Sequence, residues 1–171
     1  MRLAKYLVCL GFILSVSGCA TEMMPGQWLD NEIVTFERVV EAPGNSSDEI
    51  YKGTKVWIAE NFQSAKRVIE LDSQEDGLII GNGRIDYPCN GINCMGTADT
   101  ASFTMRVDIK DERFRLSFTN IKLHYSPTSA RGAFDTPVQF KVQKETLEPV
   151  LLAYGDRILE SIEGHKASSD W

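Results

Sequence analysis

The architecture of this protein follows from residues 101–126, ASFTMRVDIKDERFRLSFTNIKLHYS. Apolar side chains occupy every second position on both sides of Lys110–Arg113, which predicts two antiparallel strands joined by a tight turn. Pairing across this turn places apolar side chains opposite each other, namely Ile109 with Phe114, Val107 with Leu116 and Met105 with Phe118. The same pairing places Asp108 opposite Arg115 on the other side, so the hairpin has one apolar and one charged face.

The alternation of the second strand shifts by one residue after Phe118. The next apolar side chains are Ile121, Leu123 and Tyr125. A β-bulge at Thr119–Asn120 would absorb the extra residue and return these side chains to the apolar face. Because an apolar sheet face must be buried, we expect the helices elsewhere in the chain to cover it.

The N-terminus has the pattern of a bacterial secretion signal. Arg2 and Lys5 precede the apolar run Tyr6–Val16, which is too short to span a bilayer as a helix of the mature protein. The run ends in VSGC, residues 16–19, which resembles the junction at which bacterial lipoproteins are cleaved before an acylated cysteine. The sequence therefore predicts lipidation of Cys19. The alternative is an ordinary secretory peptide that is cleaved elsewhere.

The residues after the signal and the overall charge define the expected location. Ala20 stands where an aspartate would favour retention in the inner membrane, so we expect a lipid anchor in the outer membrane with the domain facing the periplasm. Removal of residues 1–18 lowers the formal net charge from −6 to about −8. Such an acidic protein disfavours nucleic acid as a partner and anionic lipid as a surface. Membrane attachment would therefore rest on the acyl chains at Cys19.

Two cysteines remain once the signal is removed and Cys19 is acylated. Cys89 and Cys94 flank the turn-rich sequence NGIN, and an oxidising periplasm favours a disulfide between them. The alternative is a metal site completed by His124, although the spacing is a poor match to zinc-binding patterns. The segment Gly81–Gly83 lacks the third glycine and the following helix of a dinucleotide loop. No metal or cofactor is therefore expected.

The chain divides into four segments: a signal peptide (1–18), a lipidated tether (19–32), a single α+β domain (33–163) and a flexible tail (164–171). The domain begins with a strand at 33–42 and a helix whose SSDE sequence, residues 46–49, predicts a capping box. Strands at 66–72 and 77–87 then lead into the hairpin.

After the hairpin we expect an irregular loop at 127–137, a short edge segment at 138–142 and a final helix at 146–163. In that helix Thr146 would be the N-cap, Pro149 would lie in the first turn and Gly164 would be the C-cap. Trp57 and Tyr154 lie on the apolar stripes of the two predicted helices, so both are expected to pack against the apolar face of the hairpin.

Four short motifs occur in order: EAPG at 41–44, EIY at 49–51, KVWIAENF at 55–62 and IIGNG at 79–83. Over about residues 33–125 the chain thereby resembles a domain-of-unknown-function family of bacterial secreted proteins with a TATA-binding-protein-like fold. The resemblance implies a curved antiparallel β-sheet with two helices on one face, in the order β-α-β-β-β-β-α. A ferredoxin-like sandwich is the alternative architecture. The family implies no activity and no DNA binding, and the cysteine-containing insert at 87–96 departs from its pattern.

The sequence contains no recognisable catalytic motif. Neither G-x-S-x-G nor H-E-x-x-H occurs, and His124 and His165 are expected to be solvated. We therefore expect a non-catalytic binding module for a protein or envelope ligand. Two alternatives remain, an accessory structural subunit of an envelope assembly and a hydrolase with an unrecognised carboxylate site.

The polar face of the hairpin is the candidate partner surface. Its basic members, with one residue from the preceding strand, are Arg84, Arg106, Arg115, Lys122 and His124. On this polar face arginine outnumbers carboxylate, although the whole chain is acidic. Guanidinium groups bind carboxylates and phosphates through two hydrogen bonds. The sequence thus predicts an anionic partner on this face. An ordinary solvated sheet face is the alternative.

Overall fold

The computed structural model describes residues 28–29, 33–62, 69–89 and 97–168. The signal peptide, Cys19, most of the tether, Cys94 and the end of the tail lie outside the described residues, so the predictions made for them stay predictions. Trp28 and Leu29, which the sequence assigned to the tether, contact the domain. The Trp28 ring lies 4.4 Å from that of Phe140, and the Leu29 N–H donates to the Gln139 carbonyl at 2.8 Å.

The described residues form an antiparallel sheet covered on one face by helices. The elements are β1 (Phe36–Glu41), α1 (Ser47–Asn61), β2 (Ile69–Ser73), β3 (Leu78–Asp86), β4 (Thr100–Lys110), β5 (Arg113–Tyr125), β6 (Phe134–Pro137), α2 (Lys141–Leu152) and α3 (Tyr154–Ser168). The strand order is β1-β5-β4-β3-β2, and β6 pairs with the second half of β5. The predicted α+β class, with helices on one side of an antiparallel sheet, is confirmed.

The central hairpin has the register that its sequence predicts. Ile109 pairs with Phe114, Val107 with Leu116, Met105 with Phe118 and Asp108 with Arg115. The predicted bulge is also confirmed, because Thr104 pairs with Thr119 whereas Ser102 pairs with Lys122. Asn120 at the bulge has a φ of 52°, a left-handed conformation that asparagine tolerates better than most residues.

The helices bury the apolar side of the hairpin. α1 begins with the predicted capping box, in which Ser46 and Glu49 exchange hydrogen bonds. Tyr154 lies 6.5 Å from Phe103 and 6.0 Å from Phe118, measured between ring centroids, and Trp57 lies 5.0 Å from Tyr154. Both predicted aromatic side chains are therefore in the core, although Trp57 reaches the hairpin rings through Tyr154.

Gly83 of β3 allows close packing of the core. A Cβ atom on Gly83 would lie 2.5 Å from the ring of Phe103, which no real side chain tolerates. Gly83 therefore allows the Phe103 ring to lie directly against the backbone of β3.

The region after the hairpin differs from the sequence prediction. The strand β6 lies within the segment predicted as an irregular loop, and the predicted edge segment 138–142 instead leads into α2, which begins at Lys141. The N-cap is Phe140 and not Thr146, because the Gln143 side chain accepts hydrogen bonds from the N–H groups of Gln139 and Phe140. Thr146 lies inside the helix.

The predicted final helix is divided in two. α2 ends at Leu152 and α3 begins at Tyr154, and the Leu152 carbonyl at this break accepts a hydrogen bond from Arg38 at 3.2 Å. Pro149 lies in the interior of α2 and not in a first turn, because the helix begins earlier than predicted. α3 continues to Ser168, past the predicted C-cap Gly164, into residues assigned to the tail.

Candidate functional site

The sheet surface that faces away from the helices, which we call the open face, carries mostly polar side chains on the two central strands, β4 and β5. On β4 and β5 these positions alternate with buried apolar side chains of the core. The structure places all the predicted partner residues on this face, namely Arg84, Arg106, Arg115, Lys122 and His124. Two of them belong to one cluster of side chains and one to another, and the remaining two flank the second cluster.

The first group, the paired cluster, consists of Glu37, Arg106, Asp108 and Arg115. Arg106 contacts the Asp108 carboxylate at 2.5 Å and Arg115 contacts it at 3.2 Å. Arg115 also lies 4.0 Å from Glu37, which β1 contributes. The hydrogen bond from Arg106 is the main reason that the pKa of Asp108 is lowered. Both arginines of this cluster are therefore neutralised by neighbouring carboxylates.

The second group, the histidine cluster, consists of Ser102, His124 and Asp135. His124 Nδ1 lies 2.7 Å from Asp135 Oδ1, and His124 Nε2 lies 2.7 Å from Ser102 Oγ. The three residues come from β4, β5 and β6, and Asp135 pairs directly with His124 in the register of β6. The His124 side chain is only 18% exposed, so the imidazole is held in place between its two partners.

Two cations flank the histidine cluster. Arg84 on β3 and Lys122 on β5 both pair with Ser102 in the sheet register, which places their Cβ atoms roughly 5 Å from that of Ser102. Within the part of the chain that the structure describes, neither Arg84 nor Lys122 forms an ion pair. Arg84 and Ser102 line a surface groove, whose described lining also includes Asn82, Asp86 and Thr100.

Neutral side chains separate the two clusters. Thr104 donates to Asn82 at 2.9 Å and accepts a hydrogen bond from Asn120 at 3.4 Å. Asn82 in turn donates to Glu70 on β2. This band of hydrogen bonds lies between the paired and the histidine clusters, so each cluster has its own electrostatic environment.

The expected excess of arginine over carboxylate on the open face requires correction. Glu37 on β1, Glu70 on β2 and Asp135 on β6 bring carboxylates onto the same face. The expectation considered only the hairpin and one neighbouring strand, whereas the charge of a sheet face depends on all the strands that pair across it. Of the cations predicted for the partner surface, those without an ion-pair partner in the described residues are thus Arg84 and Lys122, with Asp86 nearby.

The sequence did not identify Ser102 or Asp135 as site residues. Ser102 occupies an ordinary polar position of β4, and Asp135 lies in a segment predicted to be a loop. Their contact with His124 spans 22 and 11 residues respectively. No local pattern in the sequence indicates such a contact, because it depends on the pairing of β6 with β5.

The alternative to the disulfide was a metal site completed by His124. Both ring nitrogens of His124 instead have side-chain partners, Asp135 and Ser102. Within residues 28–29, 33–62, 69–89 and 97–168, no group of three or more His, Cys, Asp or Glu side chains could hold a metal ion. Cys89 is half-buried and disulfide-bonded. Cys94 lies outside the described residues, so the pairing of these two cysteines stays a prediction.

Comparison with known proteins identifies the domain. The profile of DUF4468, a domain of unknown function with a TBP-like fold, matches residues 36–124. The crystal structure of a TBP-like protein from Parabacteroides distasonis has a TM-score of 0.60 and 14% identity, covering 79% of this chain and 96% of that chain. A DUF4468 family protein from Bacteroides ovatus has a TM-score of 0.49 and 14% identity, covering 77% and 84%.

No curated protein matches the chain. At 14% identity the structural likeness to the Parabacteroides protein shows the fold alone. The profile match covers more than half of the sequence and confirms the resemblance that the four short motifs indicated. This chain belongs to the DUF4468 family and has its TBP-like fold.

Proposed function

We propose that this domain is a binding module that holds an anionic ligand on the open face, at Arg84 and Lys122. The observation that carries the proposal is the difference in pairing among the four arginine and lysine residues predicted for the partner surface. Arg106 and Arg115 have carboxylate partners, whereas Arg84 and Lys122 have none in the described residues. A ligand at Arg84 and Lys122 competes with no ion pair of the described residues, whereas a ligand at Arg106 must compete with Asp108.

The chemistry of the two cations suits carboxylate or phosphate groups. Arginine presents a planar fork of donors that matches a carboxylate, and lysine adds a compact point charge. Exposed ion pairs contribute at most about 1 kcal/mol each, so the two cations together are expected to raise the affinity for an anionic ligand roughly tenfold. A ligand with several anionic groups, such as an acidic peptide or an envelope polymer, fits this face best.

The proposed location is the periplasmic side of the bacterial outer membrane, with the protein anchored through lipid at Cys19. Its support is the charged start, the apolar run and the VSGC junction of the first 19 residues. Within the described part of the chain, no helix is long and apolar enough to cross a membrane. Cys19→Ser should prevent incorporation of labelled palmitate in cells, and label that persists in this variant would refute the assignment.

Binding can be tested with fluorescein-labelled hexaglutamate and the full chain in a neutral detergent, by fluorescence anisotropy at low ionic strength. The double variant Arg84→Gln/Lys122→Gln is expected to bind the peptide about tenfold more weakly. The matched control is Arg106→Gln/Arg115→Gln, which removes the same charge from the same face and should change the affinity less than threefold.

The outcomes separate specific binding from general electrostatics. An equal loss of affinity in both double variants would show that only the overall charge matters and would overturn the assignment to Arg84 and Lys122. Absence of peptide binding by the unmodified protein would overturn the proposal for acidic peptides.

A further inference from the structure

We propose that Ser102, His124 and Asp135 form a nucleophile, a general base and an orienting carboxylate that hydrolyse a carboxylic ester bearing an anionic group. The three side chains lie on adjacent strands at the end of the open face. This assignment departs from the expectation of a non-catalytic module, because the sequence showed only a histidine on a polar strand face.

The two contacts of His124 have the geometry that serine activation requires. His124 Nδ1 lies 2.7 Å from Asp135 Oδ1, and an Nδ1–H group that donates to this carboxylate leaves the lone pair of the ring on Nε2. That lone pair can accept the hydrogen bond of the Ser102 hydroxyl, whose Oγ lies 2.7 Å from Nε2. A nucleophile hydrogen-bonded to a general base, which is in turn hydrogen-bonded to an orienting carboxylate, defines the serine-hydrolase triad on unrelated folds.

The surroundings of Ser102 can stabilise the charge that develops during the reaction. Arg84 and Lys122 lie opposite Ser102 on the two neighbouring strands. A positive group beside the nucleophile stabilises the oxyanion of a tetrahedral intermediate. The same two cations favour an ester with an anionic substituent, and this part of the inference rests on the proposed function. The groove beside Ser102 gives access to the ester.

The reaction proceeds through an acyl-enzyme and is balanced by one water molecule. Ser102 Oγ attacks the ester carbonyl carbon as its proton passes to His124 Nε2. The bond to the alkoxy oxygen then breaks, and the leaving alcohol takes that proton. Water, deprotonated by His124, attacks the acyl group and releases the acid, and the proton returns to Ser102. The net change is ester and water to acid and alcohol.

The same three side chains could serve only to attach β6 to the sheet. A structural role requires hydrogen bonds but gives the Ser102 hydroxyl no unusual reactivity. Covalent reaction with a fluorophosphonate distinguishes the roles, because only an activated serine displaces fluoride from phosphorus at a useful rate. This probe is uncharged, so its reaction does not depend on the proposed anion site.

The experiment treats the full chain in a neutral detergent with a biotinylated fluorophosphonate and maps the modified peptide by mass spectrometry. Modification is expected at Ser102, absent in Ser102→Ala, and at least tenfold slower in Asp135→Asn and in His124→Gln. Ser117→Ala is the control, since Ser117 lies on the same face but donates its hydroxyl to Glu37. Circular dichroism of each variant confirms that the fold is retained.

Hydrolysis of p-nitrophenyl acetate and p-nitrophenyl succinate then tests the substrate class. Arg84→Gln/Lys122→Gln should lower kcat/KM about tenfold for the succinate ester and less than threefold for the acetate ester. Failure of Ser102 to react above the level of the other serines would overturn the catalytic inference, even if hexaglutamate binds. Reaction of Ser102 without peptide binding would leave the triad in place and overturn its anion preference.

Discussion

The two faces of the sheet depend on different interactions. On the covered face, the aromatic rings of Trp57, Phe103, Phe118 and Tyr154 contact one another beneath the helices, and all are at most 8% exposed. On the open face the contacts are hydrogen bonds and ion pairs at the surface, such as those of Arg106 and Asp108. Burial of an aromatic side chain contributes several kcal/mol, whereas an exposed ion pair contributes at most about 1 kcal/mol.

This difference separates stability from candidate function. Changes on the covered face should alter the free energy of unfolding without touching either cluster of the open face. Changes on the open face should leave the fold nearly intact and alter binding or reactivity. The following variants test that separation, from the largest expected effect to the smallest.

Truncation of Trp57 should have the largest effect. Trp57 is 3% exposed and contacts Tyr154 and Phe62, so Trp57→Ala is expected to lower the free energy of unfolding by about 3–5 kcal/mol. The matched truncation on the open face is Val39→Ala, since Val39 is 53% exposed, and it should cost less than about 1 kcal/mol. Urea unfolding followed by circular dichroism measures both, and equal costs would contradict the comparison.

Replacement of Thr54 should stabilise the covered face. The Thr54 hydroxyl is buried on α1 and has no hydrogen-bond partner among the described residues. Valine has nearly the same shape without the hydroxyl, so Thr54→Val is expected to raise the free energy of unfolding by about 1 kcal/mol. Thr104→Val is the control on the open face, where the hydroxyl is bonded to Asn82. A shift of the melting temperature upward in Thr104→Val but not in Thr54→Val would reverse the prediction.

Asp108 should link the stability of the open face to pH. Its pKa is lowered from the ordinary value of 3.8, chiefly by the hydrogen bond from Arg106. The stabilisation is therefore fully present above pH 4 and is lost as the pH falls through the lowered pKa of the folded state. Asp108→Asn should cost about 1 kcal/mol or less at pH 7 and make unfolding less dependent on pH below 4.

Acid titration of the circular dichroism signal, with Glu60→Gln as a control that removes an exposed carboxylate from α1, measures this dependence. An unchanged acid transition in Asp108→Asn would show that the paired cluster contributes nothing to acid stability.

The smallest effect on stability is expected at the other end of the open face. Arg84→Gln/Lys122→Gln removes no ion pair of the described residues, so its free energy of unfolding should stay within about 0.5 kcal/mol of the unmodified protein. Differential scanning calorimetry checks this directly. A loss above 2 kcal/mol would show that these cations support the fold, and it would remove them from the proposed binding site.

The sequence by itself determined the central hairpin and the start of α1. Alternation fixes which side chains of β4 and β5 face the core, and the tight turn at Lys110–Arg113 fixes their register. The one-residue shift in the apolar alternation after Phe118 was enough to locate the bulge. The capping box was evident in residues 46–49. These features are local, because each depends on residues close in the chain and on a period that the sequence displays.

Only the tertiary structure decided the end of the chain and the environment of the open face. β6 has four residues and little alternation of its own, and it is a strand because β5 offers an unpaired edge beyond β1. That pairing brings Asp135 to His124, whose other partner is Ser102, and the pairing of β1 with β5 brings Glu37 to Arg115. Such contacts join residues that are distant in the sequence. The charge and chemistry of the open face therefore follow from strand order, which no single strand of the sequence specifies.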